Sequence, residues 1–186
     1  MRKALLVAGV AVVVAAALLA TRGGAAGRAF GPGEGEVVRV VDGDTIVVRM
    51  SAGEERVRLI GVDTPESVDP RRPVECFGKE ASARTAALLP PGTLVRLERD
   101  VEPRDRYGRL LAYVYRHADG LFVNAELLRQ GYAQLLTIPP NIAHTDEFTA
   151  IARQAREGAQ GLWAACTLLP DGRVAPASSG TPGGSG

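Results

Sequence analysis

The chain has 186 residues, 46% of them hydrophobic and 23% charged, with a formal net charge of +1. That length suits one domain with appendages and a proper core. Residues 31–169 carry 17 Arg and Lys against 20 Asp and Glu, which excludes a global basic footprint and confines any polyanion site to a local patch.

In chain order, Arg2-Lys3 and the apolar run Ala4–Ala20 read as a secretory signal peptide or signal anchor over residues 1–22. The run is short for a membrane span, yet Ala17–Arg22 offers no clean small-residue cleavage site, so release and tethering both stay open. Export places the domain in an oxidising compartment. There Cys76 and Cys166, which lack CxxC spacing and a His cluster, pair as one disulfide rather than remain two buried thiols. Residues 23–34 have the Gly- and Ala-rich composition of a flexible linker. Residues 170–186 have that of a disordered tail.

Between these appendages, Glu36–Val41 and Thr45–Met50 are β-branched runs flanking Asp42-Gly43-Asp44, a strong hairpin signal. A turn at Ser51–Glu54 leads into a third strand, Glu55–Val62, with Arg58 on the face opposite Val57 and Leu59. Ser67–Val74 is a polar loop containing Arg71 and Arg72. Gly78–Leu89 is an Ala-rich amphipathic helix stopped by Pro90-Pro91, and Thr93–Arg99 and Arg109–Arg116 are further strands. Asn124 is placed as the cap of a short helix, Ala125–Gln130. Thr145-Asp146-Glu147 opens a last helix running to about Trp163, with acids in its first turn. The fold expected is α+β and mainly β: a five-stranded antiparallel barrel of OB type with three helices, spanning residues 35–169.

Four carboxylates, Asp42, Asp44, Asp63 and Glu66, gather with Arg58 at the ends of this strand pair. Crowded carboxylates repel and favour a cation between them. Oxygen donors without His or thiolate point to Ca²⁺ or Mg²⁺, with Asp44 and Asp63 the best ligand candidates. Taken singly, each Asp is equally well explained by ordinary turn chemistry. Glu66, stiffened by Pro65, is placed to orient or deprotonate a water. A second cluster, Arg104-Asp105-Arg106-Tyr107-Gly108-Arg109, is a phosphate patch or simply a charged hairpin loop. His117 and His144 receive no role, and Trp163 reads as core.

Asp42–Thr45, Arg58–Glu66, Phe77–Ser82, Asp105–Arg109 and Gly161–Trp163, in this order over residues 36–165, resemble the staphylococcal nuclease family. The resemblance implies an OB barrel with three helices and a Ca²⁺-dependent phosphodiesterase that cleaves DNA and RNA, leaving 3′-phosphate and 5′-hydroxyl ends. It implies Ca²⁺ ligation by Asp44, Asp63 and the Thr64 carbonyl, with Asp42 in support behind them. Glu66 would act on the attacking water. Arg58 and Arg109 would bind the scissile phosphate, and Arg106 and Tyr107 a terminal phosphate. The implied partners are DNA and RNA as substrates, with a possible membrane tether through the N-terminus and a monomeric domain. Two departures stand out: Thr137 where the family has a nucleotide-contacting Tyr, and Arg71-Arg72 in place of a Lys-rich loop. A non-catalytic OB-type nucleic-acid-binding module and a surface interaction module are the alternatives. Degenerate modules of this kind lose the catalytic set, whereas Asp44, Asp63, Glu66, Arg58 and Arg109 are all present here.

Overall fold

Apolar β-branched residues set out the frame, and its edges follow from where the alternation breaks. The computed structural model describes residues 29–67 and 73–177. The apolar N-terminal run, the Arg71-Arg72 pair and the end of the tail lie outside the described residues. Among the described residues, no helix is long and apolar enough to cross a membrane.

Strands β1 (Glu34–Asp42), β2 (Thr45–Met50), β3 (Gly53–Leu59), β5 (Leu94–Glu98) and β6 (Leu110–Arg116) close into one barrel in the order β1-β2-β3-β6-β5. Its interior is filled by Val37, Ile46, Val48, Val57, Leu59 and Val114, all essentially inaccessible. Each such side chain stabilises the fold by about 1.5–3 kcal/mol through burial. The five-stranded OB barrel is therefore as expected, with one difference: β3 and β6 run parallel, pairing Val57 with Leu110 and Leu59 with Ala112. That closing pair sets Arg109, just before β6, beside the strand that carries Arg58.

The third strand is also shorter than its apolar pattern suggests. Gly61 has φ 81°, and a Cβ there would collide with the Phe148 ring. The chain turns at this point and leaves the barrel as β4 (Gly61–Asp63), which pairs with β7 (Gln134–Leu136). Alternation alone cannot distinguish a straight strand from one bent at a glycine.

The helices α1 (Gly78–Leu88), α2 (Val123–Arg129), α3 (Thr145–Glu157) and the one-turn α4 (Leu162–Ala165) pack around the barrel. Two expectations are corrected here. Asn124 caps nothing; it is wholly buried inside α2, donating to the Ile60 carbonyl at 2.8 Å and accepting from Val114 N at 2.9 Å. The last helix stops at Glu157, because the chain reverses through Gly158–Gly161 with Ala159 at φ 48°. Leu162, rather than the half-buried Trp163, is the core residue of α4.

Cys76 and Cys166 form the expected disulfide across a sequence separation of 90. It leads into a hairpin whose second strand falls where only tail was expected: β8 (Cys166–Leu168) pairs with β9 (Val174–Pro176). Cys76 N also donates to the Val174 carbonyl at 3.3 Å, and Val174 is buried. At the other end, the presumed linker is already ordered at Phe30, whose backbone exchanges two hydrogen bonds with Ser51 Oγ.

Candidate active site

The site begins at the β1–β2 turn. Gly43 allows it to press on the β4 exit, since a Cβ there would stand 2.7 Å from the Thr64 side chain. Helix α1 holds the turn from behind, with buried Thr85 Oγ1 donating to the Gly43 carbonyl at 2.6 Å. Asp44 is left 6% exposed and fully engaged. Its Oδ2 accepts from Thr64 N at 3.0 Å and Thr64 Oγ1 at 3.1 Å. Its Oδ1 accepts from Thr45 Oγ1 and pairs with Arg58 Nε, both at 3.1 Å.

Arg58 joins the two loops. Its Nη2 reaches Asp63 Oδ1 at 3.1 Å, while Nη1 donates to the Leu59 and Val62 carbonyls at 2.7 and 2.6 Å. The side chain is 12% exposed, so its guanidinium is held at one point of the barrel edge. Asp42 lies half-buried next to Asp44. Burial, then the Asp44 charge, push its carboxyl up to about 6. This crowding of like charge is what a cation would relieve.

Arg109 enters from the closing pair. Its Nε bonds Asp105 Oδ2 at 2.7 Å, its backbone N donates to Asp105 Oδ1 at 2.9 Å, and Nη1 donates to Thr45 Oγ1 at 3.4 Å. Burial raises the Asp105 pKa, but its bonds to Arg109 outweigh this and hold it below the usual carboxylate range. Arg106 Nη2 donates to the Tyr107 hydroxyl at 2.6 Å, and the Tyr107 ring, 69% exposed, has the Arg106 and Arg109 guanidiniums 4.8 and 5.5 Å from its centre.

Asp42, Asp44, Arg58, Asp63, Thr64, Glu66, Tyr107 and Arg109 all line one polar cavity of about 640 Å³. Glu66 sits on its rim, with Oε1 accepting from Ser67 N at 2.8 Å and its backbone tied to Glu75. A neighbouring, more apolar cleft of about 550 Å³ shares Arg58, Tyr107, Arg109 and Leu136 and adds Arg106 and Ile138. Thr137 lines neither cavity, whereas Leu136 lines both and Ile138 the more apolar one.

Among the described residues, no three His, Cys, Asp or Glu side chains form a group able by itself to hold a metal. The donors at hand are the Asp44 and Asp63 carboxylates, linked through Arg58, and the Thr64 backbone. All are hard oxygens beside a crowded acid, and they fit a hard divalent cation better than zinc.

Sequence reasoning passed over several residues that build this site. Asp105 orients Arg109, and its signal was a carboxylate four residues before an Arg in a tight loop. Thr45 bridges Asp44 and Arg109. Asp171, Gly172 and Arg173 reach the polar cavity from the C-terminal hairpin, and no local pattern marks them.

The described family, "Staphylococcal nuclease homologue", matches residues 56–165. A thermonuclease of Staphylococcus intermedius is 48% identical over 124 residues, covering 67% of this chain and 70% of the relative. A thermonuclease of Staphylococcus hyicus is 40% identical over 128 residues, covering 69% and 74%. Endonuclease YncB of Bacillus subtilis is 39% identical over 127 residues, covering 67% and 59%. An OB-type barrel with these relatives is an enzyme of the nuclease class, a hydrolase. The chain belongs to the staphylococcal nuclease family.

Proposed function

We propose that the protein is an exported, Ca²⁺-dependent nuclease that hydrolyses the phosphodiester bonds of DNA and RNA as a monomer, leaving 3′-phosphate and 5′-hydroxyl ends. The observation that carries this reading is the sharing of one cavity by a hard-oxygen donor set, an acid and two guanidiniums. Asp44, Asp63 and the Thr64 carbonyl would hold the ion, with Asp42 supporting them from behind. Bound there, Ca²⁺ supplies positive charge against the phosphate oxygens and makes a nearby water more acidic.

Glu66 takes the proton of the attacking water, whose oxygen forms the new bond to phosphorus. Arg58 and Arg109, already aimed by Asp63 and Asp105, bind the phosphate oxygens and stabilise the charge that builds on them. The bond from phosphorus to the 5′ oxygen breaks, and that oxygen leaves as a hydroxyl, taking its proton from solvent water in the open cleft. Arg106 and Tyr107 hold a neighbouring terminal phosphate.

Export is supported by the charged and then apolar N-terminus and by the Cys76–Cys166 disulfide, which persists in an oxidising compartment. The same N-terminal segment serves either as a cleaved signal or as a tether on the outer side of the membrane.

Digestion of plasmid DNA and of RNA, with added Ca²⁺ and with chelator, tests the reading directly. Degradation is expected with Ca²⁺ and protection in chelator. Equal activity in both would remove the metal from the mechanism.

A further inference from the structure

The hairpin β8–β9 begins at Cys166, just past the family match that ends at residue 165. Three ties hold it against the domain. The disulfide joins its first residue to Cys76, Cys76 N bonds the Val174 carbonyl, and Gln134 Nε2 donates to the Gly172 carbonyl at 3.0 Å. Gln134 pairs with Asp63 across β7 and β4. The hairpin turn is thereby set one strand away from a candidate metal ligand, and Asp171, Gly172 and Arg173 form part of the same polar cavity as Glu66, Arg58 and Arg109.

The charges of this wall matter because the domain is acidic overall. Arg58 is committed to Asp44 and Asp63, and Arg109 to Asp105. Arg173, half-exposed, forms a surface ion pair with Asp171 at 2.7 Å and lies within the field of the Glu75 carboxylate in the same cavity. An exposed pair of this kind contributes little, so a phosphate can displace Asp171 at small cost and be gripped by the guanidinium fork.

We propose that Arg173 is a substrate-binding residue that contacts a backbone phosphate of the nucleic-acid chain as it passes the cleft, an inference that rests on the nuclease reading. The disulfide-tied hairpin is the element that delivers it.

The test measures binding of a short fluorescent single-stranded oligodeoxynucleotide by anisotropy, in Ca²⁺, across a salt series. The parent is the Glu66→Gln protein, which binds without rapid cleavage. Adding Arg173→Ala is expected to weaken binding roughly three- to ten-fold at low salt. It should also reduce the slope of log affinity against log salt by about 0.7, the share of one phosphate contact on a single strand. Arg173→Lys should retain most of that slope. Unchanged affinity and slope in Arg173→Ala would overturn the proposal. Cleavage by the otherwise unaltered chain separates the two readings. Cleavage with no effect of Arg173→Ala sinks this inference alone. A weakened Arg173→Ala without any cleavage sinks the nuclease reading and leaves the phosphate contact standing.

Discussion

Glu66 and Arg109 face the same cavity with different local supports, and their loss should read differently. Glu66→Gln removes the proposed proton acceptor while keeping shape, so turnover should fall by about 10²–10⁴. Arg109→Gly removes charge stabilisation and should cost about 10²–10³. Steady-state rates on a defined oligonucleotide check both, with circular dichroism showing an intact fold. Asp105 acts one step back, orienting Arg109 through two hydrogen bonds. Because its folded pKa is depressed, its stabilisation is complete above the ordinary Asp value of 3.8 and is lost as pH falls through the depressed one. Asp105→Asn should therefore flatten the acid limb of the unfolding curve, seen in melting temperature against pH. It should also lower kcat with little change in metal requirement.

Among the elements, the corner between β3 and β4 decides the site's geometry. It turns at Gly61 and is pinned by Asn124, whose Nδ2 bonds the Ile60 and Ala112 carbonyls and whose Oδ1 holds Val114 N. A buried amide with three satisfied bonds behaves as a clamp, and removing it leaves several buried backbone groups without partners. Asn124→Leu should destabilise the protein by about 2–4 kcal/mol, measured by urea unfolding. It should also slacken the position of Asp63 and so raise the Ca²⁺ concentration needed for activity. The β1–β2 turn is the counterpart corner, held by Thr85 from α1 and by the tight approach of Gly43 to Thr64.

At the scale of the whole molecule, closure of the barrel and one covalent staple bring distant segments together. The parallel β3–β6 pair is what places Arg109 beside Arg58. The disulfide closes a loop with a sequence separation of 90. In the chain-entropy view such a loop is worth about 4–5 kcal/mol, and measured losses run about 2–5 kcal/mol. Reduction, or Cys76→Ser with Cys166→Ser, should lower the melting temperature by several degrees. A melting temperature unmoved by reductant would show that the barrel alone carries the stability.

The sequence by itself picked out the candidate site residues and the five barrel strands in chain order. Asp42, Asp44, Asp63 and Glu66 stand in or next to turns, and Arg58 lies within an alternating run, so short-range pattern is enough to pick them out. Helix α1 was legible for the same reason, a local period ended by Pro90-Pro91. Tertiary structure alone decided the rest. Whether Glu55–Val62 is one strand or two depends on Phe148 packing against Gly61, far along the chain. Asn124 looks like a cap until β6 and Ile60 arrive to satisfy it. Residues 170–177 read as tail because Gly, Pro and Asp leave no period. They are ordered by a disulfide and a Gln134 bond that no local window contains. Local physics names the reacting groups, and contacts between distant segments decide what surrounds them.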